Sequence, residues 1–253
     1  MDEKHGNMRR AVVVGATSGI GLEVTRLLLE RGWTVGIAGR RQERLQEIQR
    51  KHVGVLATEQ IDVTREDAGE RLERLVGKLG GMDLYFHSSG IGYQNVALDA
   101  AREVATVETN AVGMVRMVDA AFHYFVEQHD GCGQLAVISS IAGTKGLGAA
   151  PAYSASKRFV NHYLECLCQL CHMRGLRGLH ICDIRPGFVR TPLLQDGHDY
   201  PMQMEATKVA RTIVDELERG KKTVLTIDWR YRLLVGLWRL IPRWLWVRLN
   251  VKS

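Results

Sequence analysis

The chain has 253 residues, 45% of them hydrophobic and only 5 of them proline, enough for a sizeable core and unlike a disordered chain. Its formal net charge is +6, but the stretch from Trp229 onward holds six basic residues and no acids, so the body balances at 28 basic against 28 acidic. That placement excludes a whole-domain nucleic-acid footprint, and no run of about 18 apolar residues is present to span a membrane. The opening MDEKHGNMRR has no apolar h-region, and an odd count of five cysteines suits a reducing cytosol better than a disulfide framework.

Apolar runs alternate with helical patterns along the body. Val12–Val14 reads as a buried strand, followed by a helix from Ile20 to Glu30 with Val24, Leu27 and Leu28 at helical spacing, ended by Gly32. Thr34–Ala38 is a second strand and Glu43–Lys51 a polar helix. Val53–Ile61 holds a third strand, and Arg65–Leu79 a helix with Leu72, Leu75 and Val76 on one face. Leu84–His87 makes a fourth strand, and one long helix is expected around Val104–Glu127. Leu135–Ser139 is the fifth strand, and a helix through Tyr153 runs to about Met173. Leu179–Ile184, a helix over Glu205–Glu218 and Thr223–Ile227 complete the body. Strands separated by one helix each predict a single doubly wound α/β domain over residues 8–228, with about seven parallel strands and helices on both faces. Residues 229–253 form a separate C-terminal segment.

Directly after the first strand comes Gly15-Ala-Thr17-Ser18-Gly19-Ile20-Gly21, leading into a helix. Glycines let the backbone turn tightly and approach a pyrophosphate, whose charge meets the helix N-terminus. Where dinucleotide folds often place an acid for the ribose 2′-hydroxyl, this chain has Arg40-Arg41. Two guanidiniums there suit a 2′-phosphate, so NADP(H) is preferred, with NAD(H) also admitted. Arg40 is the stronger candidate, since Arg41 reads equally as a solvated helix residue.

Tyr153-Ser-Ala-Ser-Lys157 places a phenol and an ammonium one helical turn apart, with small residues between them. Further along that helix, Cys168-Gln-Leu-Cys171-His172 matches the spacing of covalent haem attachment. Cysteines are common on buried helix faces, and no metal site is expected.

Gly15–Gly21, Asn110, Ser140, Tyr153 and Lys157, in this order, resemble the short-chain dehydrogenase/reductase family, over about residues 10 to 227. Supporting marks are Asp62 and Val63 in the I-D-V-T run, where the family contacts adenine, and Pro186-Gly187-Phe-Val189-Arg-Thr191, where it holds the nicotinamide end. Two departures stand out: Val14 replaces the usual threonine, and His87-Ser88-Ser89-Gly90 replaces N-N-A-G, leaving Ser89 and Gly90 as cofactor-loop candidates.

The resemblance implies hydride transfer between a nicotinamide and a carbonyl or alcohol, in a homodimer or homotetramer. Tyr153 would be general acid or base, Lys157 would hold the nicotinamide ribose, Ser140 would polarise the carbonyl, and Asn110 would hold a water linking Lys157 to solvent. Bringing a phenol from its ordinary value to near neutrality takes about 4 kcal/mol. One ammonium about 5 Å away, at an effective dielectric near 20, supplies about 3 kcal/mol, so Lys157 is expected to lower the Tyr153 pKa. Ile91–Asn95, Thr144–Ala150 and Leu193–Met204 should line the substrate pocket. Leu193, Leu194, Met202 and Met204 read either as an adaptable apolar lid or as an ordinary packed loop.

The C-terminal segment holds four of the five tryptophans, and Leu233, Leu234, Leu237, Leu240 and Ile241 recur at helical spacing before Pro242. Such a segment can lie in a membrane interface, pack on the body or meet a second subunit. Membrane contact would make an apolar or lipid-like substrate natural. Two readings compete with an enzyme: a non-catalytic NADP-sensing or scaffolding protein, and a membrane-associated adaptor. The complete Asn–Ser–Tyr–Lys set argues against a sensor, which has no need of Tyr153.

Overall fold

The computed structural model describes residues 9–194, 200, 202–249 and 251. β1 (Arg10–Val14) is buried at all but its first residue, as a strand covered on both faces requires. α1 (Gly19–Glu30), β2 (Thr34–Gly39), α2 (Gln42–Lys51), β3 (Val55–Gln60), α3 (Ala68–Leu79) and β4 (Leu84–His87) follow. Next come α4 (Ala100–Val107), α5 (Met114–Gln128), β5 (Gly133–Ile138), α6 (Pro151–Met173) and β6 (Leu179–Pro186). A two-stranded pair, β7 (Val189–Arg190) with β8 (Met204–Glu205), precedes α7 (Ala206–Arg219), β9 (Val224–Ile227), α8 (Trp229–Leu240) and α9 (Arg243–Trp246).

The main sheet has seven parallel strands in the order β3-β2-β1-β4-β5-β6-β9. One apolar layer joins Leu22, Val24 and Leu28 of α1, Leu45 of α2, and Val209 and Ile213 of α7. The other joins Leu72 and Leu75 of α3, Met117 and Phe122 of α5, and Val160 and Leu164 of α6. Burying each such side chain contributes about 1.5–3 kcal/mol, so the two layers hold the helices on the sheet. The strand order reverses between β1 and β4, and there the crevice past the strands' C-terminal ends opens.

Two elements differ from the sequence reading. The third helix starts at Ala68 rather than Arg65, because the Asp62 carboxylate accepts from the Thr64 amide (3.0 Å) and hydroxyl (2.8 Å), holding that stretch in a turn. The long helix is interrupted by a π-helical turn over Glu108–Gly113, a departure that periodicity does not register. Of the alternatives open for the C-terminal segment, α8 takes packing on the body. Tyr231 of α8 is fully buried, its hydroxyl accepts from the Phe188 amide (3.2 Å) and donates to the Met202 carbonyl (3.1 Å). A Cβ on Gly187 would lie 2.2 Å from the Tyr231 ring, so the turn after β6 needs glycine for this helix to dock.

Candidate active site

The glycine turn lies between β1 and α1. Gly15 has φ of +87°, and a Cβ there would lie 2.7 Å from the Ser88–Ser89 peptide. A Cβ on Gly21 would lie 2.3 Å from the Gly15 carbonyl oxygen. Only glycine permits both approaches. No side chain caps the first turn of α1, because the Ser18 hydroxyl faces Arg41 instead, so the first-turn amides are left for an anion. Thr191 stands across this turn, its methyl 3.2 Å from where a Gly19 Cβ would be. The cradle has the glycines, the helix end and the cation that a dinucleotide pyrophosphate requires, so the residues present fit such a group.

The two arginines, both exposed, make different contacts. Arg41 Nη2 donates to Thr17 Oγ1 (2.7 Å) and to Ser18 Oγ (3.1 Å), holding its guanidinium over the glycine turn. Arg40 is exposed, and its carbonyl accepts from the Gln60 side chain at 2.9 Å. Asp62 faces its own turn, and Val63 is buried against Gly113, where a Cβ would lie 2.9 Å from the Val63 carbonyl oxygen.

On α6 the YSASK spacing does what one helical turn dictates. Lys157 Nζ lies 5.7 Å from the Tyr153 ring centroid and donates to the Ile138 carbonyl at 3.0 Å. Ser140 is the neighbour that draws the Tyr153 phenol's pKa down, and its Oγ accepts from the Ala142 amide at 3.1 Å and is thereby oriented. A Cβ on Gly92 would lie 2.6 Å from the Tyr153 ring, so the loop after β4 packs flat on it. Gly90 lies close to both Lys157 Nζ and Asn110 Oδ1.

The electrostatics correct one expectation. Burial pushes the Tyr153 phenol above its usual value, and the Ser140 hydrogen bond opposes that only in part. Burial also brings Lys157 down to about 8, with the Asp183 carboxylate pulling the other way. Desolvation thus outweighs the ammonium that the sequence reading relied on. In the protein alone the phenol keeps its proton, the form that acts as an acid.

Asn110 sits in the π-helical turn. Its Oδ1 accepts from the Ile91 amide (2.9 Å), while Nδ2 donates to the Ile91 carbonyl (2.7 Å) and to Ser156 Oγ (3.1 Å). Both amide hydrogens are therefore engaged, and a water on this residue could only donate to Oδ1. What the geometry shows directly is a clasp between the loop after β4 and α6.

Sequence reasoning missed the polar group behind Lys157. Asp183, 2% exposed, accepts from Ser139 Oγ, from Asn161 Nδ2 (3.1 Å) and from the Arg185 guanidinium (2.6 Å). Two signals were available. Asn161 follows Lys157 by one helical turn, and Asp183 interrupts the apolar strand I-C-D-I.

His87 is also buried, its Nδ1 paired with the Tyr85 hydroxyl at 2.8 Å. Burial and the Lys157 charge bring it down to about 3, so it folds neutral. Below about 6.5 the unfolded chain takes up a proton that the folded one refuses, so stability falls with pH over that window. His87→Asn is expected to flatten this loss, read as a smaller difference in melting temperature between pH 6.5 and 4.5 than in the parent.

Around the mouth, Met204 is buried and pairs with Val189, so it belongs to the core and not to a lid. Leu193 is 41% exposed. The stretch 195–199 and residue 201, which the sequence reading assigned to the pocket, lie outside the described residues. Pro186 ends β6 at the sheet edge of the crevice. Cys171 is buried in the apolar layer under α6, and among the described residues no three His, Cys, Asp or Glu side chains cluster as a metal site.

Together these features define an α/β protein with a dinucleotide-type glycine turn joined, through the loop after β4, to a paired tyrosine and lysine. The profile of the family described as short chain dehydrogenase matches residues 9–200. An uncharacterized oxidoreductase of Myxococcus xanthus is 33% identical over 242 residues, covering 92% of this chain and 93% of its own. Dehydrogenase/reductase SDR family member 7B of Bos taurus is 29% identical over 261 residues, covering 93% of this chain and 79% of its own. Among solved structures, ElxO with NADP bound matches with a TM-score of 0.76 at 23% identity, over 89% of this chain and 99% of its own. An actinorhodin polyketide ketoreductase variant with NADPH matches at 0.76 and 24%, over 87% and 96%. These two likenesses are of fold. The chain belongs to the short-chain dehydrogenase/reductase family of oxidoreductases.

Proposed function

We propose that the protein is an NADP(H)-dependent oxidoreductase that interconverts a ketone or aldehyde with its alcohol, Tyr153 serving as general acid in reduction. The observation that carries this reading is Lys157 Nζ, 5.7 Å from the Tyr153 ring, on a helix tied to the glycine turn through the loop after β4, where Gly15 abuts Ser88–Ser89 and Gly90 lies beside Lys157 Nζ. The nicotinamide, when bound, supplies the hydride. Ser140 holds the substrate oxygen beside the phenol, which gives its proton to that oxygen. Lys157 then stabilises the phenolate by its charge. Gly15, Gly21 and the α1 end would hold the pyrophosphate, with Ser89, Gly90, Thr191 and Lys157 toward the nicotinamide half. NADPH-bound and NADP-bound fold neighbours support the choice of dinucleotide.

The walls near Tyr153 favour an apolar substrate. Tyr153 packs against a buried cluster of Ala142, Leu147 and Trp246, the last contributed by the C-terminal segment, whose Trp238 and Ile241 pack on the same cluster. Screening NADPH oxidation against ketones and aldehydes of graded polarity tests the reading. A folded, cofactor-binding protein that turns over none of them would overturn it.

Arg41 is the residue expected to read the 2′-phosphate. Arg41→Ala should weaken NADPH binding by about ten-fold or more while changing NADH binding little, measured by fluorescence titration. Arg40→Ala should have the smaller effect of the two. Equal losses for both dinucleotides would show that neither arginine discriminates.

A further inference from the structure

The C-terminal segment has two faces with different fates. Tyr231, Val235 and Trp246 are buried against the body, with Trp238 and Ile241 packed alongside. Trp246 Nε1 donates to the Gly146 carbonyl at 2.7 Å, and Lys145 Nζ donates to the Ile241 carbonyl at 2.7 Å. The opposite face is apolar and open: Trp229 is 69% exposed, Leu233 59%, Leu237 53% and Leu240 80%. At 3.6 residues per turn these four fall within an arc of about 80°. Arg230 borders that arc on one side, and Arg232 and Arg239 on the other. Beyond Pro242, Trp244 (62%) and Val247 (69%) are exposed as well, with the Arg248 guanidinium 5.8 Å from the Trp244 ring.

A second copy of this chain is a poor occupant for that face. In a two-fold pairing like meets like, and residues 229–253 bring six basic side chains and no acid to neutralise them. Among the described residues only Arg230 of this set pairs with a carboxylate, that of Asp228. An exposed apolar stripe carrying tryptophans, with Arg232 and Arg239 along one border free of any carboxylate partner among the described residues, is instead complementary to an anionic lipid surface.

We propose that α8 and α9 dock the protein on an anionic bilayer, with Trp229, Leu233, Leu237, Leu240, Trp244 and Val247 in the interfacial layer. Because the inner face of the same segment walls the cleft at Tyr153, docking sets the catalytic residue about one helix diameter, ~10 Å, from the lipid. The substrate class that follows is a membrane-partitioned carbonyl or alcohol, a corollary that rests on the function proposed above.

The test is co-sedimentation of the full chain with phosphatidylcholine vesicles, with and without phosphatidylglycerol. The parent is expected to pellet with the anionic vesicles, less with neutral ones, and to be released by salt. Leu237→Glu with Leu240→Glu, both solvent-facing, should reduce pelleting about ten-fold or more while NADPH binding and melting temperature hold. Arg239→Gln with Arg243→Gln should remove the preference for anionic vesicles. Equal pelleting of parent and Leu237→Glu/Leu240→Glu protein would overturn the proposal. So would a parent that ignores vesicles and sediments as a dimer that the same variant dissociates. A higher KM for a long-chain ketone carried in anionic vesicles, with kcat on a short soluble ketone unchanged, would extend docking to substrate delivery. An unchanged KM would overturn that corollary alone.

Discussion

Tyr153→Phe is expected to lower kcat by about 10³-fold on any substrate the parent reduces, with NADPH affinity within a factor of about two of the parent. The phenyl ring keeps its packing on Gly92 and in the cluster with Leu147 and Trp246, so the fold and the cofactor cradle stand. What disappears is the hydroxyl whose pKa Ser140 draws down, and hence the proton that the substrate oxygen needs. Steady-state turnover combined with a fluorescence titration of NADPH separates the two effects. Activity persisting in the variant would remove Tyr153 as the acid, whatever the substrate proves to be.

Asp183→Asn should act on both stability and pH dependence. Removing the charged partner of a buried pair costs about 3–5 kcal/mol, because the Arg185 guanidinium is left only 13% exposed with nothing to neutralise it. The second effect runs through Lys157, which burial holds at about 8 and which Asp183 pulls upward. In the parent, reductive kcat/KM should fall on the alkaline side near pH 8 as the ammonium is lost. Tyr153, pushed above its ordinary value, keeps its proton through that window. Without the Asp183 charge, Lys157 deprotonates at lower pH, so the alkaline limb should move toward neutrality. Denaturant melts and a pH–rate profile read the two effects separately. A limb that stays in place would show that Asp183 supports the structure without acting on the lysine.

The sheet was legible because most of its strands are compact apolar runs between helical periods, and such runs are buried, while the edge strand β3 alternates instead. All seven expected strands are found in the main sheet. The Tyr153–Lys157 pair was legible for a similar reason: helical spacing alone brings the two together. What escaped the reading depends on tertiary contacts. Nothing local distinguishes Arg40 from Arg41, since only the path of the chain after β2 decides which one reaches Thr17 and Ser18. Desolvation at Tyr153 is set by everything packed around it, including a tryptophan 93 residues downstream, so a pairwise estimate with one neighbour had the wrong sign. The C-terminal stripe was read as a single apolar face. Docking of Tyr231 against Gly187 splits it into an inner side and an outer one.

The turn at Glu108–Gly113 works as a phase shifter. Each residue along an α-helix advances the azimuth by about 100°, and a π turn takes in one residue more than an α turn before its hydrogen bond closes. The helical column from Ala100 to Gln128 can therefore lay α5 on the sheet in the register that Met117 and Phe122 require, while Asn110 is rotated to meet Ile91 and Ser156. A uniform α-helix of the same composition would have to give up one of those two alignments.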